Sequence, residues 1–145
     1  MSAASDYTEV NILKALTGQA TFPALTFTYI ALHTSAPTEA DGLTSEVSTT
    51  NWPSYARCKA EGGGSIGSGW TTPVDNGAAK ESKNVNILAY PSNNGAATVR
   101  VTHWSVWDAL TGGNMLVLKD LTVPVDIAVG DIFVFDTASL TLTAA

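Results

Sequence analysis

A spaced set of glycines, two histidines, one cysteine and a few carboxylates are the residues of this chain whose types and spacing could do chemistry. Gly62, Gly64 and Gly67 formally satisfy G-x-G-x-x-G. That pattern holds a dinucleotide only where a strand delivers the loop and a helix N-terminus receives the pyrophosphate. Here the glycines run into Ser68-Gly69-Trp70-Thr71-Thr72-Pro73, which cannot begin a long helix, and no Walker lysine follows, so the segment reads as an exposed loop. His33 and His103 each sit in a strand-like run among aromatic or apolar neighbours, where a hydrogen-bonded structural imidazole is the ordinary case. Zinc needs more His or Cys at ligand spacing than Cys58 adds. A Ser–His–Asp set stays open, because its members meet only in the fold. The G-x-S-x-G elbow is missing, and Gly67-Ser68-Gly69 does not replace it. Glu39, Asp41 and Glu46 fall in a segment that reads as a solvated loop. The sequence therefore predicts no catalytic, cofactor-binding or metal-binding residues and no enzymatic activity.

The four tryptophans suggest a different use, since flat aromatic faces stack on sugar rings. Trp104 and Trp107 lie in the densest apolar region and are expected to fill the core. Trp52 and Trp70 lie in loops and are the better candidates for a contact surface, tryptophan being enriched at interface hot spots.

The elements that must position these residues are mostly strands. Residues 97–143 carry at least four short alternating runs between turn signals. In Thr98 to Trp107, Val99 and Val101 are expected to point one way and Trp104 and Val106 the other, following the two-residue period of a strand. Asp108 to Asn114, with Gly112 and Gly113, supplies a turn. Met115 to Lys119, Leu121 to Ile127, Ile132 to Phe135 and Leu140 to Leu142 continue the pattern. Earlier, Thr26 to His33 reads as a strand with Phe27, Tyr29 and Ala31 on one face and Ile30 and Leu32 on the other. Tyr55 to Ala60 reads as a strand with one wet face, and Val85 to Tyr90 as another, ended by Pro91 and the Ser92-Asn93-Asn94-Gly95 turn. Asp6 to Leu16 is the one helix, with Asp6 as N-cap, Glu9 three residues on, an apolar stripe through Val10, Leu13 and either Leu16 or Ile12, and Gly18 as the stop. It is expected to lie as a lid on one end of the β-core. The spacing predicts a mainly β fold, an antiparallel β-sandwich or partly closed barrel with a short N-terminal helix. Trp104, Val106, Val99, Val101, Leu116, Val134 and Phe135 are its expected core.

Composition bounds the rest. The 145 residues read as a single β-domain, with an N-terminal arm over residues 1–7 and a glycine-rich loop over residues 62–69. Only 14% of residues are charged, well under the roughly 25% of ordinary soluble domains, which suits a surface packed against neighbours. A net charge of −6 with scattered Lys and Arg argues against nucleic-acid binding. No apolar stretch approaches the ~20 residues of a membrane span, so no membrane partner is expected. The polar, acidic opening from Met1 to Glu9 does not read as a secretory signal, and the single cysteine allows no internal disulfide. Both point to a chain made in the cytoplasm.

Thr28 to Glu39, reading Thr-Tyr-Ile-Ala-Leu-His-Thr-Ser-Ala-Pro-Thr-Glu, resembles the opening of small tailed-bacteriophage virion proteins. Glu46-Val47-Ser48 and Tyr55-Ala56-Arg57 resemble the acidic turn and "YaR" elements that follow it there. Val101 to Ala109 is similar to their His-containing strand and turn, Thr111 to Leu116 to their "tGGnlL" hairpin, and Val129-Gly130-Asp131 to their closing strand. The resemblance spans residues 10 to 143. It implies a non-enzymatic virion structural protein and no catalytic residue; such proteins are labelled tail-fibre components, and similar small β-domains serve as capsid cement. The Gly62 to Gly69 insert departs from the pattern and reads as a contact loop of this chain's own.

The short length and low charge lead to the expectation of a capsid cement or decoration protein stabilising the head lattice as a homotrimer. Its partners would be the major capsid protein and copies of itself. The alternative is a tail or tail-fibre component with tail proteins as partners, and the third reading a carbohydrate-binding module using Trp52 and Trp70. Contacts are expected on the arm (Ser2, Tyr7), in the Ser35–Trp52 region (Trp52) and on the loop (Gly63, Gly64, Ile66, Trp70).

Overall fold

The computed structural model describes residues 3–144. The chain opens with a two-residue strand β1 (Ala3–Ala4), followed by the helix α1 (Asp6–Leu16). Ser5, not Asp6, is the N-cap: its hydroxyl oxygen accepts the Thr8 amide at 3.3 Å, and its hydroxyl hydrogen goes to the Met115 carbonyl. That second bond ties the helix start to the sheet, which a local reading of capping signals does not register. Gly18, at φ +72°, ends the helix as expected, with Gln19 N–H closing on Lys14 O at 2.9 Å. The expected arm is therefore corrected. Residues 3–7 are a strand edge, a buried cap and the first helical turn on this chain's own sheet; Ser2 lies outside the described residues.

The remaining strands are β2 (Tyr29–His33), β3 (Cys58–Lys59), β4 (Val74–Asp75), β5 (Lys80–Lys83), β6 (Leu88–Ala89), β7 (Val99–Trp107), β8 (Met115–Ile127), β9 (Val134–Phe135) and β10 (Thr141–Ala144). They form three antiparallel sheets, ordered β1-β8-β7-β2-β3, β10-β5-β4 and β6-β9, and among the described residues no barrel closes. The fold is mainly β with one short N-terminal helix, as the spacing predicts. Ile30, Leu32, Trp104 and Val106 on the large sheet meet Leu88 and Phe135 from the β6-β9 sheet and Leu140, just before β10, in one core. Each fully buried large apolar side chain there stabilises the fold by about 1.5–3 kcal/mol. On the other face of the large sheet, Ala31, Trp107 and Met115 form a second, smaller cluster.

The β2 faces are as expected, but β7 differs. Val99, Val101, Trp104 and Val106 all enter the same core, although odd and even positions of a regular strand cannot. Between Val101 and His103 the partner on β8 jumps from Val125 to Asp120, an irregularity that re-aims the strand. Met115 to Ile127 is also one continuous strand rather than two. β1 covers only Val117 and Leu118 of its outer edge, and Pro124, which has no N–H to offer, lies on the exposed part. Val134 is exposed while its neighbour Phe135 is buried, since β9 turns adjacent residues to opposite sides.

Candidate contact surface

The residues whose chemistry the sequence singled out are mostly inside. His33 is fully buried between two serines, with Nδ1 2.9 Å from Ser45 Oγ and Nε2 2.6 Å from Ser105 Oγ. Trp107 Nε1–H donates to Ser105 Oγ at 2.7 Å, which leaves the Ser105 hydroxyl hydrogen for His33 Nε2. Nδ1–H then donates to Ser45 Oγ, whose own hydrogen has the Gly42 carbonyl 3.5 Å away. A neutral His33 imidazole thus leaves no ring nitrogen without a partner. Burial first, then the nearby His103 and Arg57, holds the His33 pKa down to about 3. This is a Ser–His pair in distance only: no carboxylate orients the ring, and Ser105 has no exposed surface from which to attack a substrate.

Glu46, expected in a solvated loop, instead pairs with buried Arg57 across two bonds, Nε to Oε1 at 2.9 Å and Nη2 to Oε2 at 2.7 Å. Arg57 Nη1 donates to the carbonyls of Ala109 and Gly112, and the guanidinium lies 3.8 Å over the Trp107 ring. In Tyr55-Ala56-Arg57 the two long side chains are therefore buried, and the small Ala56 is what faces water. Tyr55 OH donates to Glu46 Oε1 and accepts the Leu32 amide, and burial beside Glu46 pushes its pKa up. Cys58 is likewise held as a thiol, pushed up to about 11 by burial.

The expected interface residues divide. Trp52 is a correction: it is 0% exposed, packed against Tyr55 and Tyr90, with Nε1–H donating to Ser92 O at 3.0 Å. The Ser48 to Tyr55 turns carry it inward, and the fold supplies the acceptor its indole needs. It presents no face to a partner, and no Trp52–Trp70 sugar platform forms. Tyr7 is half-buried against the core. Gly63 and Gly64 are exposed on a loop of successive turns, closed by Gly64 N–H to Glu61 O at 2.8 Å and Ser68 N–H to Ser65 O at 3.1 Å. Among the described residues that loop leads into β4 (Val74–Asp75) and not into a helix.

Ile66 and Trp70 do come together. They line a groove of about 420 Å³ with Leu25 and Pro73. Trp70 keeps its polar edge inward, Nε1–H donating to Thr28 Oγ1 at 2.9 Å, while Thr28 donates its amide and hydroxyl to the buried Glu61 carboxylate. Pro73 and Ser82 also belong to a second groove of about 320 Å³, lined by Ile12 of α1, Val117 and Leu142. The two grooves form one largely apolar band beside the β10-β5-β4 sheet. The sequence did not reveal that band, because β4 and β5 carry no apolar alternation. Nor is α1 a lid: Thr8 is its only buried residue, and Val10, Leu13 and Leu16 are 48, 62 and 79% exposed.

No helix among the described residues is long and apolar enough to cross a membrane. A family model described as Gp80, podophage GP4 fiber I protein gp80, matches residues 3–143. No curated protein matches the chain.

Proposed function

The chain belongs to the podophage GP4 fiber I protein family, and from that membership we propose that it is a non-enzymatic structural part of the fibre apparatus of a tailed-phage virion. The match over residues 3–143 carries the reading, because it takes in nearly the whole chain and names a fibre rather than a head component. It favours the tail or tail-fibre alternative over capsid cement. A role in assembly is supported by the His33, arginine–glutamate and thiol chemistry being spent on the chain's own interior, while apolar side chains such as Leu13 and Leu16 of α1 and Leu25 and Ile66 of the groove are left exposed. Its partners are then tail proteins and copies of itself, and it is made in the host cytoplasm before assembly.

Quantitative mass spectrometry of purified virions, with antibody labelling in electron micrographs, tests the placement. The fibre reading expects label at the tail and a copy number in keeping with a handful of fibres. Hundreds of copies with label spread over the head would overturn it in favour of cement.

A further inference from the structure

Asparagine followed by glycine occurs twice in this chain, at Asn76-Gly77 and Asn94-Gly95. A glycine has no Cβ to hinder its amide nitrogen as it approaches the preceding side chain, and one short turn makes that attack intramolecular. We propose that the fold arms the first pair and locks the second, so that Asn76 is a self-modifying site at which Gly77 N closes on Asn76 Cγ with the help of Asp75. In the turn between β4 and β5, Gly77 N–H donates to Asp75 Oδ1 at 2.8 Å. Asn76 Oδ1 accepts the amides of Ala78 at 3.1 Å and Ala79 at 2.9 Å, and its Nδ2 donates to Glu81 Oε2 at 3.1 Å. The nucleophile's proton thus has an acceptor. The amide oxygen faces two N–H donors, where negative charge develops during the attack.

The reaction consumes only water. As the bond from Gly77 N to Asn76 Cγ forms, the amide proton passes to Asp75 and the negative charge to Asn76 Oδ1. When the Cγ–Nδ2 bond breaks, Nδ2 takes up that proton and departs as ammonia, leaving a five-membered succinimide. Water then opens either ring carbonyl, giving an aspartate or an isoaspartate at position 76. No distant contact holds Gly77 back: residues 75–78 are exposed, and nothing lies within 4 Å of where a Gly77 Cβ would stand. The second pair is clamped. Asn94 Oδ1 accepts the Ser54 amide at 2.8 Å, Gly95 N–H donates to the side chain of buried Asn93 at 3.0 Å, and Gly95 is wedged against the Asn51 carbonyl. Ring closure there has to disturb all three contacts. Conversion of Asn76 sets a third carboxylate beside Asp75 and Glu81. The isoaspartate form also adds a methylene to the backbone joining the pairs Val74–Glu81 and Asp75–Lys80, so aged copies differ from new ones at the edge of the β10-β5-β4 sheet.

Peptide mapping by mass spectrometry of the purified full chain, aged in mildly alkaline buffer, tests the proposal, with an isoaspartyl methyltransferase reading the isoaspartate. In the folded chain Asn76 is expected to convert about tenfold or more faster than Asn94, whereas in urea the two pairs should convert at similar rates. Asp75→Asn should slow conversion of Asn76 about threefold or more in the folded chain and leave its rate in urea unchanged. A melting curve confirms that this variant is folded when the comparison is made. Equal rates at the two sites in the folded chain would overturn the proposal, as would an Asn76 that converts only after unfolding. So would a folded Asp75→Asn chain that converts at the wild-type rate.

Discussion

Arg57 and Glu46, eleven residues apart, form a bidentate pair on which the turn after β7 also depends, because Arg57 Nη1 reaches the carbonyls of Ala109 and Gly112 at 2.8 Å each. The Arg57 side chain is 3% exposed and that of Glu46 14%. Removing either partner leaves the other charge in a site built for a pair. Arg57→Met or Glu46→Leu is expected to cost about 3–5 kcal/mol. Changing both to apolar residues should cost much less than the sum, and urea unfolding of the four proteins closes the cycle.

His33 makes stability fall in acid. Its folded pKa, about 3, lies below the unfolded value near 6.5, so the unfolded chain takes up the proton first. The contribution of the neutral ring is complete above about pH 6.5 and is lost as pH falls from there toward 3. The slope is on the order of 1.4 kcal/mol per pH unit. Thermal melts from pH 7 to 4 should show a smaller decline for His33→Gln than for the wild type, even though the variant starts lower. Equal declines would mean that another group carries the acid sensitivity.

Trp52 and Trp70 should separate in a stability measurement. Trp52→Ala empties a fully buried site and is expected to cost about 3–5 kcal/mol. Trp70→Ala removes one hydrogen bond and a half-exposed ring, with an expected loss of about 1–2 kcal/mol. Denaturant midpoints at unchanged slope give both values.

Gly95 lies against the Asn51 backbone so closely that an added Cβ would overlap the Asn51 carbonyl. Gly95→Ala therefore forces two backbone segments apart, and an expected loss of about 1–3 kcal/mol should appear as a lower melting temperature. Gly18→Ala, with open space around it, should cost only the strain of its positive φ at an exposed helix end.

The sequence by itself determined what is local. The helix bounds at Asp6 and Leu16, the two faces of β2, the Gly112–Gly113 turn and the mainly β fold follow from side-chain period and backbone preference within a few residues. The order of turn and core motifs was also enough to place the chain among tailed-phage virion proteins, as its family membership bears out. Only the tertiary structure decided which side of each pattern faces inward. The period of α1 marks an apolar stripe but not whether anything covers it, and Val10, Leu13 and Leu16 are left outside. Trp52 looked like a loop residue until the fold brought it the Ser92 carbonyl, 40 residues away. Ser105 reaches His33 across 72 residues, and the break in pairing at Val101 turns four β7 side chains into one core. These outcomes depend on partners distant in sequence, and a polar or apolar side chain carries no local record of which partner the folded chain will bring to it.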